Sequence, residues 1–258
     1  MAVVTGRDGA VLSVTIDRPE ARNALDTAVL TGLIEAFESA TGDPDVRVVV
    51  LTGAGDRAFC AGADLAGGLT GDAGVVAQHE QRGALRRLFA AAEALDKPLV
   101  GRVNGHALAG GLGVALACDL LVAADDAQFG TPEVRVGLWP FVISALLTEH
   151  LGPKRALELM MTGRRLSAEQ ARDWGLVNVV VPREELDAAV AALVDELVEG
   201  APLALALGRR AYHEAREMSP RAAMAYLHGM LDLAVGTEDV VEGVGAFLGK
   251  RQPTWRGR

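Results

Sequence analysis

Aromatic side chains are scarce, at 4% of 258 residues, and cysteine is scarcer, with Cys60 and Cys118 alone. Two cysteines build neither a disulfide framework nor a metal-ligand cluster, and both read as small buried thiols. A surplus of basic charge is missing as well, the formal net charge being −9. Nucleic acids and anionic membranes need a basic footprint, so neither partner is expected, although a few local cations suffice for one anionic ligand. No apolar run approaches the roughly 18 residues of a membrane-spanning helix. The opening MAVVTGRDGAVLSVTI lacks the basic region and long apolar stretch of a secretory leader. A reducing cytoplasm is the expected location. The five histidines show no ligand spacing, so no metal is expected either.

What the chain does have is glycine, 30 residues of it, in an ordinary globular balance of 50% apolar and 23% charged residues. Its length suits one large domain, or one domain with an appended subdomain. Two strands, Val3–Thr5 and Ala10–Asp17, flank a hairpin signal at Asp8-Gly9. Asp26 precedes a helix with Leu30, Leu33, Ile34 and Phe37 on one face, broken at Asp43-Pro44. Val46–Leu51 reads as a buried parallel strand. After a Gly-rich irregular stretch over 52–75, a helix over Val76–Leu95 carries the stripe Leu85, Leu88, Phe89, Ala92 and Leu95. Leu99–Val103 is the next strand, a helix opens at Gly110-Gly111, and Leu120–Ala123 is another strand. Alternating strands and helices predict an α/β core with parallel pairing. Beyond Pro182 strand signals vanish, and 184–199, 202–217, 220–235 and 238–249 all read as amphipathic helices.

One motif misleads. Gly53-Ala54-Gly55-Asp56-Arg57-Ala58 satisfies the G-x-G-x-x-A dinucleotide fingerprint after a strand. That fingerprint needs a helix to begin at once, so that its N-terminus holds a pyrophosphate. The following Gly-rich sequence makes a poor helix, and no acidic residue closes a second strand about 20 residues on. A nicotinamide or flavin site is not expected.

Three other segments carry chemistry together: Phe59–Leu65, Asn104–Gly111, and Ala127–Glu133 followed by Val136-Gly137-Leu138. Any one of them is explained by turns and close packing. Read jointly, they bring bare backbone from separate loops toward one point, where two N–H groups make an oxyanion hole. The one at Gly110 gains from the helix that begins there.

These segments resemble the enoyl-CoA hydratase/isomerase (crotonase) family. So do Arg18-Pro19-Glu20-Ala21-Arg22-Asn23-Ala24-Leu25 and the ending Phe247-Leu248-Gly249-Lys250-Arg251, and the resemblance covers essentially the whole chain. It implies a crotonase-like ββα spiral core over 1–199 and a C-terminal all-helical oligomerisation region over 200–258. That region would form a homotrimer, with two trimers often stacking into a hexamer. By resemblance the oxyanion donors are Ala61 and Gly110. CoA is wrapped by Ala61–Asp64 with Leu65, and by backbone around Ala21, Arg22 and Ala24. Phe247 and Lys250 reach the CoA of a neighbouring subunit. CoA belongs to the substrate, so no separate cofactor is implied.

The family's hydratases place two glutamates over the substrate double bond. Glu133 matches the second; the first falls on Gly113, which has no side chain. Adding water divides readily between two carboxylates, whereas moving a double bond from C3 to C2 needs one base. The reading therefore leans toward isomerisation, with hydration by Glu133 alone close behind. A non-catalytic acyl-CoA binder and other enolate chemistries of the family stay open. Val134, Val136, Leu138 and Trp139 are expected to keep Glu133 dry and raise its pKa, with Trp139-Pro140-Phe141 shaping either the acyl pocket or the core. Asp64 reads as a ligand-holding or turn residue, Asp119 as structural and His106 as a bystander.

Overall fold

The computed structural model describes residues 2–64, 74, 79 and 83–258. The predicted hairpin forms from β1 (Val3–Asp8) and β2 (Val11–Ile16), paired antiparallel. Its turn holds Gly9 at φ +53°, a left-handed conformation that a Cβ would strain. Next come α1 (Thr27–Gly42), β3 (Val48–Gly53), β4 (Ala58–Cys60) and α2 (Ala84–Ala94). The part of the expected helix before Gly83 lies largely outside the described residues. Then follow β5 (Leu99–Val103), β6 (His106–Leu108), α3 (Gly110–Leu116), β7 (Leu120–Ala124) and β8 (Gln128–Gly130). A 3₁₀ turn, Pro132–Val136, leads to α4 (Ser144–Thr162), which is two helical pieces joined at Gly152-Pro153, Gly152 being non-helical. β9 (Arg165–Ser167), α5 (Ala168–Asp173) and β10 (Val179–Val181) complete the core. The chain ends in α6 (Leu186–Glu199), α7 (Pro202–Ala215), α8 (Pro220–Val235) and α9 (Glu238–Leu248).

The larger sheet runs β1-β2-β3-β5-β7-β10, parallel from β2 onward. Continuous apolar runs make its central strands because both faces are covered. Val49, Leu51, Leu99, Val103, Leu121 and Ala123 enter the main core. The alternate residues Val48, Val50, Val100, Val122 and Ala124 meet Leu186, Val190 and Val194 of α6. A second sheet, β4-β6-β8-β9, carries three of the site segments. Its three-residue strands went unread in the sequence.

Asp26 caps α1, its carboxylate accepting the Val29 N–H at 2.8 Å. Asp26→Ala is expected to cost about 1 kcal/mol, which lowers the melting temperature by roughly 2–4 °C in a scanning calorimeter.

Arg209 of α7 docks the C-terminal helices onto the core. Its guanidinium bonds Asp119 at 2.8 Å and the carbonyls of Ala92, Glu93 and Leu95, capping the end of α2. Asp119 is structural, as expected. Burial alone would raise its pKa, but the nearby His213 ring, 3.6 Å away, and the bonded Arg209 guanidinium outweigh that and hold it below the usual range. In contrast, α8 buries no residue in the single chain, and α9 leaves Phe247 82% exposed.

Candidate active site

The segment after Arg18 bends through two consecutive left-handed residues, Arg22 at φ 54° and Asn23 at φ 56°. Asn23 is fully buried, and its side chain stabilises the bend: the amide donates to the Ala58 carbonyl at 2.7 Å and the Ala54 carbonyl at 3.0 Å, while its oxygen accepts the Arg18 N–H. The bend laces onto the stretch after β4. Ala61 N–H donates to the Arg22 carbonyl at 3.1 Å, Leu25 N–H to Gly62 at 2.8 Å, and Asp64 N–H to Leu25 at 3.0 Å. Arg18 clamps both strips, bonding the Ala24 carbonyl and the Asp64 carboxylate, each at 2.9 Å, with Asp26 at 3.1 Å. Ala21, Arg22, Ala24, Ala63 and Asp64 are thus brought together, and Asp64 is a positioning residue. Leu65 lies outside the described residues.

These bonds correct one expectation. The Ala61 N–H is committed to Arg22, so it is not free to receive a substrate oxygen. Two residues on, the Gly62 carbonyl and Asp64 N–H both face Leu25, which leaves the Ala63 N–H pointing the other way and without a partner among the described residues. An extended strand would aim residues 61 and 63 alike. Gly62, at φ +92°, breaks that alternation.

The partner amide comes from α3. Gly110 is its first residue, so its N–H has no acceptor within the helix. The preceding Ala109 sits at φ 52°, ψ −132°, a costly conformation for a residue with a Cβ, held by its own N–H bond to Gly130 at 2.8 Å. That geometry turns the Gly110 peptide toward Gly62: a Cβ on Gly62 would stand 3.1 Å from the Gly110 nitrogen and 2.6 Å from Ala109 Cβ. The two free amides therefore lie on either side of Gly62, where the stretch after β4 packs closely on the start of α3.

Glu133 sits in the turn Pro132–Val136, half-buried, with Oε2 buried and without a hydrogen-bond partner among the described residues. Burial raises its pKa above the usual carboxylate range, because nothing replaces the lost water. The Thr131 hydroxyl is buried and unpartnered too. Of the apolar residues expected to wall Glu133, Val134, Val136 and Leu138 are exposed, Val136 at 60%. Trp139 is half-buried against the main core, while Phe141 is exposed. His106 Nδ1 is buried and unpartnered, and burial, then Arg165, lowers its pKa below the usual histidine value. The fingerprint at Gly53–Ala58 opens no helix; β4 begins at Ala58 instead. Among the described residues no cluster of metal-ligating side chains occurs, and no helix is long and apolar enough to cross a membrane.

The sequence model of the enoyl-CoA hydratase/isomerase family matches residues 6–258. The chain belongs to the enoyl-CoA hydratase/isomerase family. Carnitinyl-CoA dehydratase from Salmonella heidelberg is 39% identical over 259 aligned positions, covering 98% of this chain and 97% of the relative. Enoyl-CoA hydratase of Mycobacterium smegmatis superposes with a TM-score of 0.95 at 34% identity, over 99% of each chain. That of Bacillus anthracis gives 0.94 at 30% identity, over 100% of each. The fold is thus the crotonase fold of this family of acyl-CoA enzymes. Asn23, Arg18 and the Ala63 amide carry site geometry that motif reading passed over; the only sequence signal for them was a buried-type Asn and a glycine between two alanines.

Proposed function

We propose that this enzyme binds a 3-enoyl-CoA thioester, stabilises its enolate with the Ala63 and Gly110 amides, and moves the double bond with Glu133 as the single base. The carrying observation is the pair of unpartnered N–H groups flanking Gly62. Donors preset where charge develops need no reorganisation, and the N-terminus of α3 adds its dipole at Gly110. Glu133 takes the proton from C2; the electron pair passes into the thioester carbonyl, and the same carboxyl returns the proton at C4. A buried carboxylate lacking hydrogen bonds is a stronger base than an exposed one.

Hydration is the second reading, supported by the relatives' names, with Glu133 as acid and base in turn. Incubation with 2-enoyl- and 3-enoyl-CoA esters, with product identification, separates the two; binding without conversion of either would mark a non-catalytic acyl-CoA protein. Because burial raises Glu133, the acid limb of kcat/KM is expected above the ordinary glutamate value of about 4.3. The base works only when ionised, so the rate falls as pH drops through that raised value. A profile between about pH 4 and 8 that is flat removes Glu133 as the base.

The chemistry needs no cofactor beyond the CoA carried by the substrate. The exposed apolar residues of α8 and α9, Leu231 and Val244 among them, support assembly of region 200–258 into a trimer or hexamer, with Phe247 and Lys250 offered to a neighbour's CoA. The two free cysteines suit the cytoplasm.

A further inference from the structure

Gly113 is not a gap left by a lost carboxylate. It is buried, and a Cβ there would stand 2.3 Å from Ile143 Cγ2 and 2.9 Å from Phe89 Cζ, far inside contact distance. The volume that a longer side chain would take is already filled. Gly110, one turn earlier on the same face of α3, is different: a Cβ on it would meet only ordinary contacts, the nearest being Leu25 Cδ1 at 3.5 Å. Along one helical face the structure is therefore open at the free amide and closed by hydrocarbon one turn on. Ile143 itself is 2% exposed and sits at the N-terminus of α4, on the segment that runs on from Glu133.

We infer that Ile143, backed by Phe89, is a specificity-determining residue that restricts the site to unsaturated acyl thioesters with only hydrogen or alkyl groups on the β-carbon and turns away β-hydroxyacyl thioesters. The inference rests on the enolate reading above and goes further, because it names what fills the second-acid position. Eliminating water breaks the Cβ–O bond, and while Glu133 takes the α-proton the departing hydroxide needs a second proton donor beside it. Position 113 supplies none, and neither Ile143 nor Phe89 offers a polar atom. A hydroxyl pressed against that wall loses its water without gaining a partner. Moving a proton from Cα to Cγ asks nothing of this wall: one C–H bond breaks, its pair enters the enolate, and one C–H bond forms with no oxidation or reduction.

The test uses the full-length protein and Gly113→Glu, Ile143→Ala and Gly113→Glu/Ile143→Ala. α-Proton exchange of hexanoyl-CoA in D₂O reads enolate formation, alongside isomerisation of 3-hexenoyl-CoA, dehydration of 3-hydroxyhexanoyl-CoA and calorimetric binding of both saturated esters. The wild type is expected to exchange and isomerise, to dehydrate at least about 10²-fold more slowly, and to bind the hydroxy ester about tenfold more weakly than hexanoyl-CoA. Ile143→Ala is expected to erase most of that binding difference. Gly113→Glu/Ile143→Ala is expected to gain dehydration by about tenfold or more, while Gly113→Glu with Ile143 intact gains none or fails to fold. Wild-type dehydration as fast as isomerisation, or equal binding of the two esters, overturns the inference with the enolate reading intact. So does a folded Gly113→Glu that matches the double variant. Absence of α-proton exchange on every ester brings down the enolate reading, and this inference with it.

Discussion

Glu133→Gln is expected to lower turnover of a 3-enoyl-CoA ester by about 10²–10⁴ while acyl-CoA binding stays within a few-fold. Glutamine keeps the shape of the side chain and removes only its ability to take and return a proton. The loss should therefore fall on kcat, followed by absorbance of the conjugated product, with affinity for a saturated acyl-CoA read by calorimetry. The same substitution carries a stability signature. Burial disfavours the charged carboxylate in the folded protein, so its folded pKa lies above the unfolded one. A carboxyl shifted that way weakens folding at pH values where it is ionised, and the penalty fades as acid protonates it. Glutamine has no charge to bury, so at neutral pH the variant should melt no lower than the wild type. Full turnover in Glu133→Gln would end its assignment as the base; a markedly lower melting point would show that its role is structural.

Gly62→Ala is expected to cost at least about 10² in kcat, because it drives apart the two amides proposed to hold the enolate oxygen. Two independent strains act there. The backbone at φ +92° lies where an L side chain rarely sits, and the new Cβ would come within 2.6 Å of Ala109 Cβ and 3.0 Å of the Leu108 carbonyl oxygen. Relief requires the stretch after β4 to retreat from the start of α3, and the amides of residues 63 and 110 then no longer meet at one oxygen. A stability loss of about 1–3 kcal/mol should accompany it, from overpacking and backbone strain. Gly9→Ala is the control. It too has positive φ, but nothing lies within 4 Å, so it should lose stability alone and keep kcat. Rates taken well below the measured melting points separate geometry from unfolding. Wild-type kcat in a folded Gly62→Ala would show that the oxyanion does not form between these two amides.

The legible parts of this chain are those whose signal is local and long enough to repeat. The strands read at Val46–Leu51, Leu99–Val103 and Leu120–Ala123 are largely apolar stretches, and the structure forms β3, β5 and β7 over them in the parallel sheet, β3 beginning two residues later at Val48. Helix α8 spans the very residues its periodicity marks, 220–235, and Asp26 announces α1 by capping it. The second sheet was illegible for the opposite reason. β4, β6, β8 and β9 have three residues each, too few for any period to show, and they exist because distant partners pair with them.

The site divides along the same line. The sequence by itself carries three Gly-rich segments whose resemblance to the family points to one carboxylate, Glu133, and it places a glycine, with no side chain, at position 113. Those are properties of which residues are present. Which amide is free, Ala61 or Ala63, was decided by tertiary structure alone, since both flank the same glycine and only the bonds to Arg22 and Leu25 distinguish them. So was the occupation of Gly113's surroundings by Ile143 and Phe89, which come from two other elements. A hydrogen bond or a steric contact between residues far apart in the chain depends on how separate elements pack, and no local stretch of sequence carries that information.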